Sequence, residues 1–191
     1  MITIGYTLFS DPDGLHLSDV IVQRRNAGMQ AISDVKPQIL RQSGDAEILD
    51  MAFRFSEIVP LVLDRASATI FVANSSEAGG KIASRPPIDS QQRETLVIGI
   101  IPYKGDQALW RYRPSISPIL LPRGLVEKGY VMLGAQLTGA SENSSRKSIK
   151  DMIVSVAECV ELQSQQIRMH NTSVGYEFQE LLMRQRRYHD N

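Results

Sequence analysis

Residues 145–187 read SRKSIKDMIVSVAECVELQSQQIRMHNTSVGYEFQELLMRQRR, the longest stretch of the chain with a single hydrophobic period. Within it Ile149, Ile153, Val156, Val160, Gln163, Ile167, His170, Val174, Glu177 and Leu181 follow one another at alternating steps of four and three. That is a heptad period, which lines side chains along one side of a helix. At roughly 1.5 Å per residue the helix is about 65 Å long, well beyond the diameter of a small domain. It either meets partner chains along this seam or folds back across its own domain.

The seam has an internal gradient. The a positions Ile153, Val160, Ile167, Val174 and Leu181 are all apolar, whereas the d positions turn from Ile149 and Val156 to Gln163, His170 and Glu177. β-Branched a residues suit parallel coiled coils, and polar d residues fix register at a cost in stability. Gly175, worth about 1 kcal/mol less than Ala inside a helix, marks a kink or the end of the regular stretch. On the partner reading the oligomer interface is Ile149, Ile153, Val156, Val160, Ile167, Val174 and Leu181.

Working outward, the chain has 191 residues, enough for one domain and an extension, here a head over residues 1–140 and a long helix over 145–188. Hydrophobic residues at 42% and charged residues at 22% support a proper core and argue against global disorder. Lys plus Arg and Asp plus Glu are 21 each, a balance that argues against a protein given over to neutralising phosphates. Cys159 is the single cysteine, which excludes an intrachain disulfide and a Cys-rich zinc site. The first nine residues alternate and lack a basic leader, so they read as a strand and not as a signal peptide. No apolar run approaches the ~18 residues of a membrane span. The expected setting is the cytoplasm or an assembled particle.

The head reads as α+β, an antiparallel meander with packed helices. Residues 2–9 alternate as a strand, Asp11 to Gly14 is a turn, and 20–32 is a helix that also carries a strand-like Val20-Ile-Val22. Pro37 and Gly44 bracket a loose connection. Asp45 caps a helix whose apolar face is Ile48, Leu49, Ala52, Phe53, Ser56 and Val59, ended or kinked by Pro60. Strands follow over 68–73, 95–103, 107–113 and 130–137. Between the first two of these, residues 74–93 are polar and rich in Gly and Pro, the composition of a mobile loop. Pro114, Pro118 and Pro122 suit an edge segment. Ser145 or Ser148 caps the long helix.

Chemical motifs fail on spacing. Gly79-Gly-Lys81 after a strand suggests a phosphate loop, but Ser75 stands at the first glycine position and Ile82 at the Mg²⁺-binding hydroxyl. Asp11, Asp13, His16 and Asp19 form the densest oxygen and nitrogen set, yet Val22 occupies the closing Glu position of a calcium hand. Asp side chains bonding turn amides explain that set more simply. His170 on the seam offers a pH-sensitive contact, since imidazole titrates near ~6.5. No catalytic, cofactor or metal residue is assigned.

Two clusters suit nucleic acid or an anion. Trp110-Arg-Tyr-Arg113 interleaves aromatics with guanidiniums as single-strand binders do. On a strand, however, Trp110 and Tyr112 share one face and Arg111 and Arg113 the other, which suits core aromatics and solvated arginines. Arg184, Arg186 and Arg187 sit at the negative end of the long helix. The expected function is therefore a non-enzymatic structural or assembly protein. It self-associates, or docks onto another protein subunit, through the C-terminal helix, as components of virions or secretion machines do. The alternative is a nucleic-acid-associated or regulatory factor that binds weakly through these arginines.

Overall fold

In the computed structural model, which describes residues 5–74, 95–116, 120–136 and 141–190, one helix runs the length of an antiparallel sheet and on into a helical layer. The elements in chain order are β1 (Tyr6–Thr7), α1 (Leu17–Ser33), α2 (Pro37–Gln42), α3 (Asp45–Ser56), β2 (Val62–Leu63), β3 (Thr69–Asn74) and β4 (Thr95–Lys104). A short 3₁₀ turn (Gln107–Arg111), β5 (Arg123–Glu127), β6 (Tyr130–Gln136) and α4 (Glu142–Asp190) complete the chain. The class is α+β, a curled six-stranded sheet with helices and a long C-terminal helix.

The ten-residue β4 is the centre of the sheet. One edge pairs with β6, and the other is shared by β3 along its first half and β2 at its end. β6 lies between β4 and β5, and β1 closes the far side. The period of two in β4 is apolar on both faces. Val97 and Ile101 join Val131, Leu133 and Ala135 in a core with Ile149, Val156, Cys159, Val160 and Ile167 of α4. Leu96 and Ile98 point the other way and cluster with Ala73. Gly99 sets the closeness of helix and sheet, because a Cβ there would lie 2.6 Å from Cγ2 of Ile149.

The second half of α4 leaves the sheet and enters a separate core with α1, α2 and α3. Val174, Phe178 and Leu182 are buried there against Ile32, Leu40, Ile48 and Ala52. From Ile149 to Leu182 the buried positions advance 33 residues in nine turns, about 3.67 per turn. A strict heptad would advance 3.5 and demand a left-handed supercoil. The heptad frame holds as far as Val174 and then fails: Phe178 and Leu182 are buried where Glu177 and Leu181 were expected. Each apolar side chain so buried contributes about 1.5–3 kcal/mol.

Other expectations are corrected. Gln107–Arg111 is a 3₁₀ turn and not a strand, started by Asp106, whose carboxylate accepts the Ala108 amide at 2.9 Å. Pro37 opens α2 at its first turn, where a missing amide costs nothing, so the segment is no loose connection. Asp45 is the first residue of α3 and Gly44 its cap; the helix ends at Ser56, short of Val59 and Pro60. The helix expected over 20–32 is present as part of α1, with Val20-Ile-Val22 inside it, and its start is held by the Asp19 carboxylate, which accepts the His16 amide at 2.8 Å. Helix α4 begins at Glu142, before Ser145 and Ser148, and passes through Gly175 unbroken. Only residues 6–7 of the expected first strand pair within the described part. Of the loop expected over 74–93, Asn74 is the last residue of β3, and the rest lies outside the described residues. No described helix is long and apolar enough to cross a membrane.

Candidate functional site

Along α4, the buried face and the outward face have different uses. Ile149, Val156, Val160, Ile167 and Val174, read as interface residues, are buried within this chain, while Ile153 and Leu181 are half-buried against the same two cores. A partner chain therefore cannot use the seam as its surface without unpacking the head.

Two of the three polar seam positions, Gln163 and His170, bind backbone, and the third, Glu177, pairs with Arg25 of α1. Two irregular segments, residues 56–61 and 109–115, cross α4, and their main-chain groups need partners that no strand supplies. Gln163 donates through Nε2 to the carbonyls of Leu109, at 2.9 Å, and Tyr112. Ser164 donates to Leu61 O at 3.3 Å, and the Ser115 amide donates to Gln166 Oε1 at 3.1 Å. His170 Nε2 lies 3.0 Å from Ser56 O, an acceptor only, so this nitrogen carries the proton. Asn171 exchanges two bonds with Ile58. Sequence periodicity located Gln163 and His170 but not their partners, which lie 51 to 114 residues away.

The nucleic-acid candidates separate. Trp110 is 2% exposed, with Phe9 tilted against it and Tyr103 edge-on in the core, so it offers no platform to a base. Arg111 reaches Asp11 at 3.4 Å, Arg113 follows the 3₁₀ turn, and its carbonyl receives the Leu17 amide. Arg184 pairs with Glu180 one turn back at 3.1 Å. Arg186 is a clamp: it bonds Asp45 at 2.6 Å, Ser43 O at 2.9 Å and Leu40 O, tying the end of α4 to the α2–α3 turn. Arg187 lies beside it on the last turn of α4.

The acidic cluster and the cysteine make local contacts. Asp11 accepts the Asp13 amide at 2.9 Å and Asp19 the His16 amide at 2.8 Å, the local turn bonding expected of that cluster. Burial pushes the Cys159 thiol up to about 11, which leaves it protonated and inert at neutral pH. Among the described residues, no group of three or more His, Cys, Asp or Glu side chains gathers in a geometry for a metal.

Two outward features of α4 remain. On its C-terminal half Met169, Tyr176 and Met183 are 73%, 75% and 55% exposed and stand seven residues apart. Beside its N-terminal half a groove of about 950 Å³ runs between α4 and β2, lined by Val62, Leu63, Ile116, Val154, Ala157 and Leu162 among others. Sequence reasoning missed the groove, because its walls come from three separated segments and its residues have no common period. No protein-family model, no curated protein and no solved structure matches this chain.

Proposed function

We propose that the chain is a non-enzymatic assembly subunit that joins copies of itself, or a larger complex of the virion or secretion kind, through the outward face of α4. The observation that carries this reading is the row Met169, Tyr176 and Met183. Large apolar side chains at seven-residue intervals drift only ~20° per step around a helix, so the row is nearly straight. It faces away from Ile167, Val174 and Phe178, which are buried. Thr172 and Ser173, then Gln179 and Glu180, stand exposed between its members, so the row combines large apolar contacts with polar ones, a composition that suits a protein contact. The Arg184–Glu180 pair at its flank supplies the charged rim common at helix–helix contacts.

The test is light scattering after size exclusion on wild type and on Met169→Lys/Met183→Lys. Both side chains are exposed, so the variant keeps the wild-type melting temperature. Wild type forms a defined oligomer and the variant runs as a monomer. A wild-type monomer at high concentration removes the self-association half of the reading and leaves docking onto a different subunit.

A further inference from the structure

We propose that the groove between β2 and α4 binds an extended segment of another protein by strand addition, with apolar side chains in the groove and an acidic residue at its Arg65–Lys150 end. The argument begins with main-chain direction. Val62 pairs with Lys104 and Leu63 with Tyr103 in an antiparallel register, and the Asp64 amide donates to Pro102 O at 2.9 Å. Residues 62 and 64 thus turn their backbone groups towards β4, and residues 61 and 63 turn theirs away. Leu61 O meets the Ser164 hydroxyl, so the outward edge of β2 is the edge facing α4. Leu63 presents its amide and carbonyl on that edge, with no hydrogen-bond partner among the described residues. An unpaired edge beside an apolar wall is a template for an incoming strand.

A helical ligand would leave those two main-chain groups unpaired, whereas a strand bonds both. The opposite wall suits alternate side chains of a strand: Val154, Ala157 and Leu162 of α4 line the groove together with Val62, Leu63 and Ile116. Charge sets the direction. An adjoining depression of about 570 Å³ holds both Arg65 and Lys150, and neither forms an ion pair among the described residues. Two turns further along α4 the groove carries Glu158, and Glu161 is held there by Arg168 at 2.8 Å. An acid at the first end is attracted, and one at the second end is repelled. The groove lies beside the N-terminal half of α4 and the exposed row on its C-terminal half, so peptide binding and self-association are separable.

Selection of random hexapeptides displayed on phage, followed by anisotropy with the enriched peptides synthesised with both ends capped, tests the proposal. Enriched peptides alternate β-branched or other apolar residues with an Asp or Glu near one end. Arg65→Glu weakens them at least tenfold without moving the melting temperature. Leu63→Pro removes the outward amide together with a side chain that packs on the core, so Leu63→Ala, which keeps the amide, is its control: at equal folded fraction the proline variant loses binding and the alanine variant retains it in part. No enrichment over an unrelated protein overturns the proposal, as does enrichment of helical peptides, or of peptides indifferent to both Arg65→Glu and Leu63→Pro.

Discussion

Asn171 and Ile58 hydrogen-bond to each other twice, the side-chain amide donating to Ile58 O at 3.0 Å and the Ile58 amide donating back to Oδ1 at 3.3 Å. A side chain here takes the place of a neighbouring strand. It holds the extended segment after α3 against the middle of α4, and with Ser164 and His170 it satisfies three of six consecutive residues in that segment.

Asn171→Ala is therefore expected to destabilise the chain by about 1–3 kcal/mol, since both main-chain groups of Ile58 lose their partner. Urea unfolding checks this. The midpoint falls while the slope stays the same.

Gly28 of α1 crosses Phe178 so closely that a Cβ would sit 2.3 Å from the end of its ring and 3.0 Å from Ala52 O. Gly28→Ala gains about 1 kcal/mol of helix propensity, but overpacking costs typically 1–3 kcal/mol. The net expectation is a lower melting temperature. Phe178→Leu in the same chain recovers part of it, and a double-mutant cycle by thermal unfolding reads the coupling.

Cys159 has a folded-state thiol at about 11 against an ordinary 9.0, from burial first and the Glu158 charge second. The folded state holds this proton more tightly than the unfolded one. Stability from this group is therefore level below about pH 9 and declines as pH rises towards 11. Burial raises Tyr103 as well, which adds to the same alkaline decline. Denaturation between pH 7 and 10 measures it, and iodoacetamide at pH 7 leaves the native thiol unmodified while labelling the unfolded chain.

Arg186→Ala removes the bonds to Leu40 O, Ser43 O and Asp45. Faster amide hydrogen exchange over residues 40–46 is expected, with protection in β4 unchanged. Arg186→Lys recovers little of it, because a single ammonium cannot reproduce the planar fork.

Most elements were legible because their periods run long enough to read. β4, β6 and α3 emerge from apolar alternation or helical spacing within a residue or two, apart from the overrun of α3 to Val59. Residues 107–111 misled because Ala108, Trp110 and Tyr112 alternate over too short a span to separate a strand from a 3₁₀ turn. The heptad reading of α4 failed at its end for a subtler reason. Periods of 3.5 and 3.67 differ by less than one residue over 20, so only Phe178 and Leu182 betray the change of frame. That Gln163, His170 and Asn171 bond distant carbonyls was not legible, since a hydrogen bond to main chain leaves no trace in the partner's side chain. The groove shares that fate.

Whether the seam of α4 is spent inside its own chain is decided by Val160→Asp. Val160 is buried in the sheet-side core, and a carboxylate there is desolvated without a partner, at a cost of several kcal/mol. Thermal unfolding is followed beside light scattering on wild type and variant. The expected result is a melting temperature lowered for the whole domain in one transition, with the mass of the folded material unchanged. A variant that keeps the wild-type melting temperature while its mass falls to that of a monomer would instead make the seam an interface between chains.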